Sequence, residues 1–302
     1  MRALLLFLSR QPQLRRWIET SATAKKLSAR FVAGDSLEDA LNTIRRVNGE
    51  RISATLDYLG ENVRSPEEAA ACRRMVERSL SAIAESRLDS NVSLKLTQFG
   101  MDISEDLCRE NVRQLVEHAA RLHNFVRIDM ESSAYTDRTL RLVTDLHATF
   151  GACGAVIQAY LRRSADDVDD LCKKGIRVRL CKGAYLEPPD LAFTKKSEVD
   201  ANFMKLAHKL LTHGTYPAIA THDERILTGL RSFIESHRIA ADSFEFQMLY
   251  GIRRDLQRQL VATGYRLRLY IPFGEAWYPY FMRRLAERPA NVLFLARNLF
   301  RG

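Results

Sequence analysis

From residue 51 onward the chain alternates between short apolar runs rich in β-branched residues and amphipathic stretches of roughly ten to twenty residues, the rhythm of repeated βα units. Eight runs read as strands: 52–59, 92–96, 126–130, 155–160, 178–181, 218–221, 244–249 and 267–271. The helical stretches between them have recognisable starts. Ser65-Pro66-Glu67-Glu68 combines a cap residue, a first-turn proline and a glutamate three positions on, and Ser164-Ala165-Asp166-Asp167 reads as a cap of the same kind. The first fifty residues read as helices, with Ser36-Leu37-Glu38-Asp39 forming a capping box before the run 40–47. Eight strands, each followed by a helix, predict an α/β fold of the (β/α)8 TIM type rather than an open doubly wound sheet. The expected organisation is a helical extension over residues 1–50 and one catalytic barrel over 51–302.

Composition narrows the function classes. A chain of 302 residues with 46% hydrophobic positions buries a core of one barrel domain. The apolar stretch 3–8 is too short to cross a bilayer and no small-residue cleavage site follows it, so the expected location is the cytoplasm. Five cysteines stand without a Cys-x-x-Cys pair, and the seven histidines never take a metal-ligand spacing, so no metal site is expected. The charge of +9 is uneven: residues 253–302 hold ten arginines and three acids, a surplus of seven that attracts anions.

In a barrel of this type the chemistry sits at the C-terminal ends of the strands, and those ends are polar here. Lys95, Asp129, Glu131, Gln158, Arg179, Lys182, Thr221, His222, Gln247 and Tyr270 all fall there. Tyr280, Arg283, Arg284 and Glu287 follow the spacing i, i+3, i+4, i+7 on the last helix, a doubly cationic face suited to a carboxylate. No Gly-x-Gly-x-x-Gly or phosphate-loop string occurs. A redox barrel would then bind its cofactor across its own mouth, using Arg179 and Lys182. Two other readings stay open: a lyase forming a Schiff base at Lys95 or Lys182, and nonspecific nucleic-acid binding by the basic end, although no nucleic-acid motif is present.

The strings V-R-I-D-M-E (126–131), V-I-Q-A-Y (156–160), R-L-C-K-G-A-Y (179–185), A-T-H (220–222), F-Q-M-L-Y-G (246–251) and Y-F-M-R-R-L-A-E (280–287) resemble the proline dehydrogenase family, in family order. S-L-K-L-T-Q-F-G (93–100) resembles its short, monofunctional bacterial, FAD-dependent members. The resemblance implies noncovalent FAD held by Met130, Gln158, Arg179, Lys182, Gly183, Ala184, Thr221 and His222, with Arg179 also acting beside the flavin ring. It implies L-proline held at its carboxylate by Lys95, Arg283 and Arg284, in a pocket completed by Asp129, Tyr185, Leu249, Tyr270, Tyr280 and Glu287. In this reading Asp129 orients Lys95, and Tyr270 marks a proline oxidiser rather than a hydroxyproline relative. The implied product is 1-pyrroline-5-carboxylate, passed to a 1-pyrroline-5-carboxylate dehydrogenase, with electrons going to a quinone through a peripheral contact at the inner face of the cytoplasmic membrane. The family often has asparagine where Asp223 stands here.

Overall fold

The computed structural model describes residues 29–61 and 63–287, with the side chains of 283–287 outside the description. The chain begins its regular structure with helix α1 (Leu37–Gly49), opened by the expected capping box: the Ser36 hydroxyl accepts from the Asp39 amide, and the Asp39 carboxylate accepts from the Ser36 amide. All eight predicted strands form. They are β1 (Ser53–Tyr58), β2 (Ser90–Leu94), β3 (Val126–Ile128), β4 (Cys153–Gln158), β5 (Val178–Cys181), β6 (Ala218–Ala220), β7 (Glu245–Leu249) and β8 (Leu267–Phe273). Every neighbouring pair is parallel, and β8 returns to β1 to close a barrel in chain order. Helices α2 (Pro66–Glu85), α3 (Glu105–Arg121), α4 (Thr136–Phe150), α5 (Ser164–Lys173), α6 (Lys196–His213), α7 (Glu224–Ser236) and α8 (Arg254–Ala262) join the strands, and α9 (Trp277–Glu287) follows β8.

The expected cap at Ser164 does not form. Ser164 is the first residue inside α5, and its buried hydroxyl donates instead to the Gln158 carbonyl at the end of β4, 2.6 Å away. The short turn after β4 brings the Leu161 amide to that carbonyl at 3.1 Å, and the serine hydroxyl takes its second lone pair in preference to the helix amides.

Strand register separates the two faces of the sheet. Leu56, Leu94, Ile128, Ile157, Leu180, Ile219, Phe246 and Ile271 point outward into the apolar annulus between sheet and helices, where the main core lies. The alternate positions point inward and are largely polar. Asp57 aligns with Ser93, Ser93 with Arg127, Val156 with Arg179, Ala218 with Glu245, Gln247 with Arg268, and Leu249 with Tyr270. The barrel interior is thus a hydrogen-bonded ion network rather than a filling of branched apolar side chains. At its deeper end Arg268 donates to both oxygens of Glu245, at 2.9 and 3.0 Å, and to the Ala54 carbonyl at 2.6 Å.

The seam between β8 and β1 is covered by α1, whose Ala40, Ile44 and Val47 are buried in the same core as both strands. The helix after β8 is thereby released toward the mouth. There Trp277, Tyr278, Phe281 and Met282 of α9 pack with Phe31, Val32, Leu59 and Ile252. Residues 33 and 34 are sewn to the end of β8, the Ala33 amide donating to the Pro272 carbonyl at 2.8 Å and the Gly274 amide to the Gly34 carbonyl at 3.0 Å. Gly251 is obligatory at this crossing: its φ is +77°, and a Cβ there would lie 1.7 Å from the Arg30 carbonyl oxygen.

Candidate active site

Strand β2 ends at Leu94, and the chain turns into a short 3-10 segment (Leu96–Phe99), so Lys95 is extended with its ammonium at the mouth. Lys95 Nζ lies 3.4 Å from Asp57 Oδ2, 3.5 Å from Glu61 Oε1, 3.4 Å from the Tyr270 hydroxyl and 4.0 Å from Asp129 Oδ2. Burial opposes its charge, yet Asp57, Tyr270, Glu61 and Asp129 together outweigh that and hold the ammonium well above the usual lysine range. Asp57 is wholly buried, and burial pushes its carboxyl up to about 6 despite the opposing pull of Lys95. Neither Asp57 nor its neighbour Ser93 was among the expected site residues. The signal that finds them is the period of two: both share the inward face of the sheet with Lys95 and Asp129.

Asp129 joins this cluster to Arg179. Its Oδ1 accepts from Arg179 Nη1 and from the Ser93 hydroxyl, each at 2.6 Å, and its Oδ2 accepts from the Tyr270 hydroxyl at 2.9 Å. Lys95 therefore has nearer carboxylates than Asp129. Arg179 also donates through Nε to Gln247 Oε1 at 2.6 Å, and the Gln247 amide donates in turn to Glu245 at 2.5 Å. A carboxylate deep in the barrel thus fixes the amide orientation that receives Arg179. The guanidinium lies 5.3 Å from the centre of the Tyr270 ring. Burial, with Asp129 and Asp57 nearby, holds the Tyr270 phenol well above its ordinary range, so it stays a donor.

Asp57 Oδ1, Arg179 Nη2 and Gln158 Oε1 in this region are buried without a hydrogen-bond partner among the described residues. Gln158 is held from below by its own amide, which donates to the Met130 carbonyl at 3.3 Å. An unsatisfied donor and an unsatisfied acceptor at the barrel mouth complement a planar ligand that carries both carbonyl and N–H groups. A flavin ring has that donor and acceptor set, and the residues fit it.

The opposite sector of the mouth is charged. Lys182 Nζ lies 2.5 Å from Asp200 and 2.8 Å from Asp223, and Lys196 also bonds Asp200. Gly183 follows with φ +106°, and any Cβ there would strike the Tyr160 ring at 2.2 Å, so backbone and ring meet closely. Asp223 caps α7 by accepting from the Arg225 amide, while the Thr221 hydroxyl oxygen accepts from the Asp223 amide at 3.1 Å. The Leu249 amide donates to His222 Nε2 at 2.9 Å, which makes that nitrogen the unprotonated one.

The structure brings together Lys95, Asp129, Arg179 and Tyr270, and sets Lys182, Thr221 and His222 on the neighbouring strand ends. Tyr280 is buried in the α9 cluster, and Tyr185 lies exposed with Ala184 on the loop after β5. The side chains of Arg283, Arg284 and Glu287 lie outside the described residues. Glu131 ties down the turn after β2 by accepting from the Thr97 amide and hydroxyl at 3.0 and 2.7 Å. Lys95, held as an ammonium, lacks the neutral amine that the Schiff-base reading requires, and the Lys182 side chain is engaged by two aspartates.

Comparison with known proteins gives one consistent result. The family model described as proline dehydrogenase matches residues 40–297. Proline dehydrogenase 1 of Bacillus subtilis (strain 168) is 41% identical over 302 residues, covering 100% of this chain and 99% of that one. The proline dehydrogenase of Deinococcus radiodurans is 41% identical over 281 residues, 91% of each chain. Among solved structures, proline utilization A of Bdellovibrio bacteriovorus superposes with a TM-score of 0.81 at 29% identity, over 87% of this chain and 33% of that longer one.

Proposed function

The chain belongs to the proline dehydrogenase family, and on that premise we propose that it oxidises L-proline to 1-pyrroline-5-carboxylate with noncovalent FAD, the first step of proline breakdown to glutamate. The observation that carries the reading is the buried cluster of Lys95, Asp129, Arg179 and Tyr270 at the C-terminal mouth of a closed barrel. The substrate carboxylate binds the cation of Lys95, joined by Arg283 and Arg284 of α9. Asp129 tempers the charge of Lys95 from 4.0 Å and orients Arg179. Leu249, Tyr185, Tyr270, Tyr280 and Glu287 complete the pocket.

Loss of hydride from C5 of the ring needs the nitrogen lone pair, and hence a neutral amine. The cations around the carboxylate disfavour a second positive charge and lower the amine pKa, while fixing the carboxylate fixes C5. FAD, when bound, would supply the hydride acceptor at N5 and the route for electrons to a quinone. Met130, Gln158, Arg179, Lys182, Gly183, Ala184, Thr221 and His222 hold the cofactor. Lys182 would face the pyrophosphate, and Arg179 would stabilise negative charge on the ring.

In the same proposal residues 1–50 form the extension and 51–302 the catalytic domain. The protein works in the cytoplasm and meets the membrane peripherally through its basic C-terminal region, and 1-pyrroline-5-carboxylate dehydrogenase takes up its product. No helix among the described residues is long and apolar enough to cross a membrane. The test is anaerobic mixing of purified protein with L-proline: the yellow colour is expected to bleach. A colourless protein that takes up no FAD would overturn the proposal.

A further inference from the structure

Three carboxylates face the one ammonium of Lys95, and their surroundings differ. Asp129 has donors of its own in Arg179, Ser93 and Tyr270. Glu61 keeps part of its side chain in solvent. Asp57 has less of either: it is wholly buried on the inward face of β1, with Oδ2 at 3.4 Å from Lys95 Nζ and Oδ1 without a hydrogen-bond partner among the described residues, and it shares the single hydroxyl of Tyr270 with Asp129. Its charged form therefore depends chiefly on Lys95, with a smaller contribution from the Tyr270 hydroxyl.

We propose that Asp57 takes up a proton as the substrate carboxylate binds at Lys95. An arriving carboxylate competes for the same ammonium and brings a like charge, and both effects favour the neutral acid. Lys95, Glu61, Asp129 and Tyr270 are the described charged or titratable groups that face Asp57, and burial has already moved its carboxyl up to about 6, close to the neutral range. With the amino acid as ligand the proton comes from the ring ammonium: one N–H bond breaks, one O–H bond forms, and the nitrogen keeps the lone pair. With a ligand that has no ammonium the proton comes from solvent. The inference rests on the proposed role of Lys95 in holding the carboxylate.

The experiment uses the flavin-loaded enzyme and cyclopentanecarboxylate, which has the ring and the carboxylate but no amine. Wild type is expected to bind it in competition with proline, to bind it more tightly as the solution goes from about pH 8 to about pH 6, by up to about tenfold per unit, and to withdraw protons from a weakly buffered indicator solution on binding. Asp57→Asn mimics the protonated acid. It is expected to bind the probe on the order of tenfold more tightly near pH 8, with no pH dependence and no proton uptake. Glu61→Gln keeps the uptake. Weaker binding in Asp57→Asn, or uptake that persists there, overturns the inference. Should that variant not fold, absence of uptake or of pH dependence in wild type, or loss of uptake in Glu61→Gln, overturns it equally. A probe that does not compete with proline removes the role of Lys95 and this inference with it, while bleaching by proline tests the oxidation separately.

Discussion

At the scale of single residues, Asp57 has a consequence for stability as well as binding. Its folded pKa of about 6 lies above the ordinary 3.8, so the folded chain holds this proton more tightly than the unfolded chain does. The stabilisation is complete below about pH 4 and is lost as the pH rises from there through about 6, a difference of up to about 3 kcal/mol. Asp57→Asn should therefore raise the melting temperature at neutral pH and give no gain near pH 4, since Lys95 keeps Glu61, Asp129 and Tyr270; melts across that range check it. Tyr270 is held on two sides by Asp129 and Lys95, and in the proposed pocket its ring would crowd a 4-hydroxyl. Wild type should show a lower kcat/KM for trans-4-hydroxyproline than for proline, and Tyr270→Ser should narrow the gap. Lys95, Asp129 and Arg179 were legible in the sequence because charges at the ends of apolar runs stand out. Asp57 and Ser93 were not, because a lone polar residue inside an apolar string gains meaning only once the register shows which way it points.

At the scale of elements, all eight strands were legible because outward apolar positions recur with period two and turn residues bound each run. The Ser164 cap was misread because serine serves an N-terminal cap and a neighbouring carbonyl equally well, and only the length of the turn after β4 decides between them. The inward halves of β7 and β8 form a unit of their own, in which Glu245 holds Arg268 on one side and Gln247 on the other. Burial opposes the charge of Glu245, but Arg268 outweighs it and keeps the carboxyl below its ordinary range. Glu245→Gln leaves the buried Arg268 guanidinium with only the exposed Asp89 carboxylate, 3.9 Å away, and should destabilise the fold by about 3 kcal/mol, as read by urea denaturation. It should also release the Gln247 amide, so that Arg179 loses one of its supports.

At the scale of the whole molecule, the sequence indicated an N-terminal helix but not its position across the seam of the barrel. Periodicity reports that a helix has an apolar face, and nothing local identifies the strands that face meets. Because Ala40, Ile44 and Val47 share a core with β1 and β8, α1 serves as one wall of the barrel. Ile44 is fully buried, and Ile44→Ala should cost about 2–5 kcal/mol, a loss measurable in the same denaturation experiment.

The placement of α1 also bears on the order in which a ribosome delivers the parts. The helix leaves the exit tunnel before any of the eight strands, while β8, half of its landing surface, follows the other seven. Throughout synthesis its greasy stripe has only a partial home, and the nascent cylinder stands open along one edge. A chain stalled before residue 267 should accordingly be digested by protease and captured by chaperones, whereas a released chain that includes β8 resists both.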